Sequence, residues 1–564
     1  MRYLFFALLL LSYVAPAQTT LNVAINPVRF QVDTTHRLIL CQTDLFPYRF
    51  LDDSALVRFT VDDAAYVTSE KQTGLSYDSS YSVQGRDGTY QLFFTQLPII
   101  DIHTRDTIIN SAKVGAQLTY VARDEVLTSS VGIEIRGGSS QYFPKKTYDL
   151  EFWEDTVTQV SRDLRFGQLR NDDDWILDAM YNEPLRIRSF MTHKLWLAIH
   201  QPTYQDREPE AEAGADVMWV EVFLQGTYQG IYALSEQVDR KLLKLKKFKK
   251  GEVRGELFKT EHWSDAVLLR KAPPFKANSR DWEFYQLKYP SQGDTTDWSS
   301  LYGFVSFVVE ADSASFVESI DSLFNITNAI DYFMLLNAVR ASDNYGKNIY
   351  VARYNRGAPY FYVPWDLDAT WGQRWDGVRE DVVDNILRNG MYAKLLRWNP
   401  QGFNEYLTSR WYELRDGALS DTKIANLIDE THATLLNNNV YEREQLVWDE
   451  YTYDTTSLTY LKSWTKRRIA YLDEYFFDPV LDVKNAAEEE ETAVSVYPNP
   501  SRRSFSVNLP AGRPVPYQLL SIHGVVVRSG TIYPNDAVVD VADLPRGHYV
   551  FRAEEVTKRV LVID

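Results

Sequence analysis

Three oxygen-bearing side chains lie close together in the middle of the chain. Asp343 and Asn348 are five residues apart in Ala341-Ser342-Asp343-Asn344-Tyr345-Gly346-Lys347-Asn348, and Asp366 follows 23 residues after Asp343 in Pro364-Trp365-Asp366-Leu367-Asp368. An Asp can accept or orient a hydroxyl proton, while an Asn oxygen and a second carboxylate can hold a hard divalent cation. That set suits phosphoryl transfer, where positioning and charge neutralisation do most of the work. A plainer reading makes Asp343 a loop residue capping the next turn and Asp366-Leu367-Asp368 a strand end. Asp366 and Asp368 could also form the carboxylate pair of a glycoside hydrolase, with carboxyls about 5–5.5 Å apart for retaining chemistry.

The surrounding elements must position these groups. Apolar residues at helical spacing, such as Leu323, Ile326, Ile330, Phe333 and Met334, predict a helix over 322–340 ending at the Asp343 loop. Strands over 349–354 and 359–363, joined at Asn355-Arg356-Gly357, then deliver Asp366. Helix, Asp-x4-Asn loop, hairpin and metal-binding Asp is the order of the catalytic half of a protein kinase. Upstream, a strand at 131–136 runs into Gly137-Gly138-Ser139-Ser140, which can cradle phosphate oxygens or simply turn a hairpin. The return strand, 143–152, starts with Lys145 and Lys146, and spacing leaves open which of the two faces a cleft. A hairpin around Gly226 leads to Glu236-Gln237-Val238, a connection that could present backbone groups to a base. Seven basic residues in Arg240–Lys250 form either a solvated face or a docking patch for an acidic substrate. Amphipathic segments after Gly372 predict helices that would complete a helical lobe, or any helical subdomain.

The 564 residues exceed one ordinary domain. With 45% hydrophobic and 24% charged residues the chain folds rather than remaining disordered. Its 60 Lys and Arg against 77 Asp and Glu give a net charge of −17, which repels phosphate backbones and argues against nucleic-acid binding. Aromatics reach 14%, as in strand-rich secreted proteins. The single cysteine, Cys41, excludes an intrachain disulfide and a Cys-rich metal site, and its apolar setting predicts a buried, inert thiol.

Both ends read as addresses. Arg2, the apolar run Leu4 to Leu11 and Ala15-Pro16-Ala17 predict a signal peptide over 1–17. No other stretch is long and apolar enough to span a bilayer, so the mature protein is expected to have no membrane span. Residues 18–96 are β-rich and predict a small sandwich or strands buttressing the next domain. Near the other end, Glu488 to Glu491 mark an acidic linker over 478–493. Short alternating strands over 494–564 then predict a small β-sandwich.

This last segment resembles the C-terminal sorting domain of type IX (Por) secretion substrates. The residues that carry the likeness are Tyr497-Pro498-Asn499-Pro500, Gly524, Leu544-Pro545-Arg546-Gly547-His548-Tyr549 and Lys558-Arg559. The resemblance implies a Bacteroidetes-type source, the type IX machinery as a partner, and delivery to the cell surface or the medium.

Residues 97–477 resemble the spore-coat protein H (CotH) family of atypical protein kinases. The matching residues are Arg136 to Ser140 with Phe143-Pro144-Lys145-Lys146-Thr147-Tyr148, Asp174-Trp175-Ile176-Leu177, Gly226 to Tyr232 leading to Glu236-Gln237, Asp343 to Asn348 and Pro364 to Asp368. The resemblance implies a kinase-like two-lobed central domain, making an α+β chain with a β-sandwich-like region on either side. It also implies ATP and Mg²⁺ as cofactors and transfer to Ser/Thr hydroxyls of secreted or surface proteins. Carried over, Asp343 is the catalytic Asp and Asn348 and Asp366 are metal ligands. Arg136, Glu236 and either Lys145 or Lys146 belong to the nucleotide site. No helix glutamate that would pair with the strand lysine is evident, because the interior of 183–199 offers Arg186, Arg188, His193 and Lys194 instead. The alternative is a catalytically inactive kinase-like adhesin or binding module, since a fold does not fix an activity.

Overall fold

The computed structural model describes residues 20–275, 281–291 and 293–477 and, in shorter runs, residues between 495 and 562. The expected signal peptide and acidic linker lie outside the described residues, as do Pro498 to Pro500 and Gly524.

The described chain is mixed α+β. Its first strands form one seven-stranded sheet, where sequence suggested a sandwich or buttressing strands. Two pairings in it are parallel, Thr20–Ala24 with Leu56–Val61 and Leu38–Gln42 with Gly88–Thr95. Leu38, Leu40 and Phe93 pack on Ile99, Val121, Phe223 and Tyr228, so the sheet does buttress the following unit. Cys41 is fully buried, and burial pushes its thiol far up.

Seven later strands close into a barrel in the order Val126–Arg136, Thr147–Trp153, Asp174–Asp178, Thr227–Glu236, Val217–Leu224, Ile99–Thr104 and Val114–Val121. Alternate residues fill its interior, including Val131, Ile133, Leu150, Phe152, Trp175, Val220 and Tyr232. Arg136 and Asp178 are the last residues of their strands, at one end of the barrel.

A second sheet pairs Asp281–Trp282, Tyr285–Tyr289, Glu256–Thr260, Ile349–Arg353 and Tyr360–Pro364. Helices Ser299–Glu310, Ser313–Leu323, Ile326–Ala338, Gly390–Trp398, Phe403–Asp416, Asp421–Asn437 and Thr455–Phe477 build a large apolar core around it. The helix predicted over 322–340 starts at Ile326. Asn325 breaks the chain there as the helix cap, its side-chain Oδ1 accepting the Asn328 N–H at 2.9 Å. Similarly, the helix read over 183–199 spans Arg188–Ile199, with the Glu183 carboxylate accepting N–H groups of its leading turn from Leu185 (2.9 Å) and Arg188 (3.2 Å).

The basic run 240–250 is a loop rather than a helix, with Lys247, Lys249 and Lys250 exposed and the rest of it tied down. Leu242, Leu243 and Leu245 are buried, while Lys241, Lys244 and Lys246 pair with Asp172, Glu210 and Glu208 at 2.6, 2.9 and 2.5 Å. In the tail, a three-stranded and a four-stranded sheet share one core around Phe505, Leu519 and Phe551, which makes a small sandwich.

Candidate functional site

The Asp343 loop is fixed from below. Asn344 is buried, and its amide donates to the Asn348 carbonyl (3.1 Å) and the Trp365 carbonyl (2.6 Å). One side chain thus ties the loop to the segment that delivers Asp366. Tyr332, on the preceding helix, donates to the Asn344 carbonyl at 2.8 Å, and the Asn348 N–H donates to the Thr260 carbonyl at 3.0 Å. The Ser342 N–H reaches the Ala369 carbonyl at 3.2 Å. Helix, sheet edge and both loops are therefore interlocked by hydrogen bonds.

Asn348 and Asp366 adopt the left-handed conformation, with φ of 55° and 58°. Such strain in non-glycine residues concentrates at sites where the surroundings over-determine the backbone. Asp343 is nearly buried and pairs with Lys347 at 2.7 Å. The side chains of Asn348 and Asp366 make no hydrogen bond or ion pair among the described residues, and Asp366 is exposed. Burial pushes the Asp368 carboxyl far up, and the charges of Asp366, Asp178 and Asp343 push it further. Burial also raises Asp178, with Asp366 adding to the rise. Four aspartates thus share one neighbourhood. They are oxygen donors with unused acceptor capacity, the chemistry a hard divalent cation requires, so the residues present fit such an ion. Asp163, Asp172 and Asp173 come within 4.8 Å of one another, but Lys241 already bridges the last two.

Above the aspartates stands the end of the barrel. The Arg136 guanidinium lies 5.1 Å from the Trp365 ring centre and 3.9 Å from Asp149. Lys259, on Glu256–Thr260, is half-buried and has no hydrogen-bond or ion-pair partner among the described residues. Burial and the nearby Arg136 lower it to about 8 against the pull of Asp366. Sequence reasoning missed Lys259 because one lysine in a strand carries no motif. The signal was its alternation with the core residue Phe258.

The other expected residues have other surroundings. Lys145 is fully buried, with its ammonium 2.6 Å from the Ile231 carbonyl, 2.7 Å from Glu444 and 4.7 Å from the Tyr232 ring centre. Burial lowers it to about 8, although Glu444 opposes this. Glu444 is thus a helix glutamate that does pair with Lys145, outside the 183–199 segment where sequence sought one. It lies on Val440–Val447, also binds Arg186 at 3.0 Å, and accepts the Ile231 N–H at 2.8 Å. Lys146 spends its ammonium on loop carbonyls, Gln141 at 2.7 Å and Phe143 at 2.5 Å. The Glu236 carboxylate accepts the N–H groups of Arg170 (2.8 Å) and Asp216 (2.9 Å), so its side chain braces the connection after the hairpin.

Comparison with known families gives two matches. Residues 133–472 match the family model described as CotH kinase protein, which spans more than half of the chain. The chain belongs to the CotH kinase protein family. Within the matched CotH region fall the Asp343 loop, Asp366, Lys145, Lys259 and Glu444. Residues 495–563 match a secretion system C-terminal sorting domain, the tail of type IX substrates. This CotH protein is therefore exported, to the cell surface or the medium. No helix among the described residues is long and apolar enough to cross a membrane. No curated protein matches the chain.

Proposed function

We propose that this exported CotH protein is a protein kinase that transfers the γ-phosphoryl group of ATP to Ser/Thr hydroxyls of secreted or surface proteins. The observation that carries the reading is the strained pair Asn348 and Asp366. Their oxygens are unpartnered, and Asn344 locks them to the loop bearing Asp343. In this reading the barrel is the nucleotide-covering lobe and the second sheet with its helices is the catalytic lobe.

Asn348 and Asp366 would hold Mg²⁺, with Asp368 and Asp178 close by. The bound ion supplies charge neutralisation and alignment of phosphate oxygens. Asp343 orients the acceptor hydroxyl and takes its proton as the hydroxyl oxygen bonds to the γ-phosphorus. The bond from that phosphorus to the β,γ-bridging oxygen breaks, and ADP leaves with the electron pair. Lys347 holds the Asp343 carboxylate in place. Glu444 and Lys145 fix the barrel floor beneath the nucleotide, Lys145 acting as a positioning residue. The test is Mg²⁺-dependent ATP consumption by wild type, Asp343→Ala and Asp366→Ala proteins with matching circular dichroism. The reading requires loss in both variants; undiminished consumption in both overturns it.

A second reading, a kinase-like binding module without activity, draws on Lys145. Its ammonium is sealed among Glu444, Ile231 and Tyr232, away from any ligand. That reading predicts binding to a surface ligand that persists in Asp343→Ala.

A further inference from the structure

Four side chains share one face beside the aspartates. Lys259 is the ladder partner of Tyr350 in the second sheet. The Tyr350 ring meets the Trp365 ring edge-on at 5.7 Å, and Arg136 lies over Trp365 at 5.1 Å. Trp365 immediately precedes Asp366. The Thr260 carbonyl and hydroxyl beside Lys259 accept the N–H groups of Asn348 and Ile349, both at 3.0 Å, so Lys259 sits on the strand that anchors Asn348. Two cations therefore stand on one aromatic-walled face next to the open oxygens of Asp366 and Asn348. Asp149 is 3.9 Å from Arg136, and Lys259 has no hydrogen-bond or ion-pair partner among the described residues.

Resting on the donor reading above, we infer that Lys259, together with Arg136, is the phosphate-contacting clamp of this site and takes the polyphosphate of the nucleotide. A polyphosphate fits because it presents oxygens to two cations on one side and to a cation-holding Asp and Asn on the other. A single monoanion would leave one of these groups unmatched. Lys145 and Lys146 are poor candidates for the same task. One is sealed against Glu444, and the other is held by loop carbonyls. Trp365 sets the height of Arg136, and the Tyr350 ladder sets that of Lys259. The clamp is thus mounted on the rigid sheet that also fixes Asn348, so metal and phosphate contacts keep their register.

The experiment is titration calorimetry on the full chain with inorganic tripolyphosphate, ATP with Mg²⁺, and adenosine. Proteins are wild type, Lys259→Met and Lys259→Arg, each checked by circular dichroism. Removing a charge-assisted contact should weaken tripolyphosphate and ATP about tenfold to a hundredfold in Lys259→Met. Adenosine affinity should stay unchanged, and Lys259→Arg should recover most of the loss. Wild-type affinity for ATP and tripolyphosphate in Lys259→Met overturns the clamp and leaves the donor reading standing. Lys259-dependent binding of tripolyphosphate, with no binding of ATP or adenosine, keeps the clamp and overturns the donor reading. If Lys259→Met misfolds, Lys259→Gln replaces it, and wild-type tripolyphosphate affinity in a folded Lys259→Gln protein overturns the clamp.

Discussion

Lys145 and Glu444 lie 299 positions apart in the chain and meet at 2.7 Å with both side chains fully buried. The contact joins the barrel to the helix Val440–Val447, and Arg186 at 3.0 Å is a second cation on the same carboxylate. The barrel therefore depends on a segment close to the end of the helical region.

Breaking this pair should be costly. Lys145→Met leaves Glu444 and Arg186 in an apolar setting with one charge removed. Glu444 keeps its pair with Arg186, so what is lost is the Lys145 hydrogen bonding to Glu444 and the Ile231 carbonyl, about 1–3 kcal/mol. Urea unfolding of the full chain should show a lowered midpoint which, multiplied by the slope, gives a loss of that size. An unchanged midpoint would mean the pair is not buried in solution.

Gly230 guards the same contact. Its φ is +92°, and a Cβ there would run into the Glu444 carboxylate and lie 3.1 Å from the Lys145 ammonium. Gly230→Ala should therefore destabilise the protein by more than about 1 kcal/mol, because strained backbone and a displaced ion pair add. Thermal melting checks this, with Gly226→Ala as a control. Gly226 also has positive φ (+72°), but a Cβ there meets nothing within 4 Å.

Asp174 gives a pH signature. Burial raises its carboxyl to about 7, helped by Asp173, Glu151 and Asp149. The folded state therefore holds a proton that the unfolded chain releases near its ordinary value of 3.8. Stability should fall as pH rises from about 4 to about 7, and stay reduced above that. Asp174→Asn should gain stability over wild type at pH 8, and the gain should vanish toward pH 4. Equal pH dependence in the two proteins would contradict the assignment.

Asn344 offers a test of coupling between the two loops. Asn344→Ala removes the hydrogen bonds to the Asn348 and Trp365 carbonyls without touching an open oxygen. Mg²⁺-dependent ATP affinity should weaken severalfold while tripolyphosphate binding at Lys259 is kept. Undiminished Mg²⁺ dependence would show that the loops are held by their backbones alone.

Local spacing made part of this legible. The Asp343-x4-Asn348 loop, the hairpin and Asp366 form one continuous stretch, so residue type and interval suffice to place them side by side. Glu444 could not be read that way. Its partner is 299 residues away, and nothing in Val440–Val447 marks Glu444 over Glu442. Lys145 and Lys146 defeated spacing for a different reason. The regular strand begins at Thr147, so alternation does not extend back to them, and it is Lys145 that turns inward. The N-terminal strands were recognisable individually, but their single seven-stranded sheet depends on parallel pairings between distant segments that local patterns do not encode. In the basic run 240–250 the exposed lysines were legible, but the pairing of Lys241, Lys244 and Lys246 was not, because their acidic partners, Asp172, Glu210 and Glu208, lie outside it.

The central claim is that Asn348 and Asp366 hold a divalent ion against a nucleotide. The most direct measurement is calorimetry of ATP with and without Mg²⁺, on wild type and on Asp366→Asn, which keeps shape and removes charge. The account predicts ATP binding that Mg²⁺ strengthens in wild type, with the Mg²⁺ effect lost in Asp366→Asn. ATP binding that ignores Mg²⁺ in wild type, or an undiminished Mg²⁺ effect in Asp366→Asn, would contradict it.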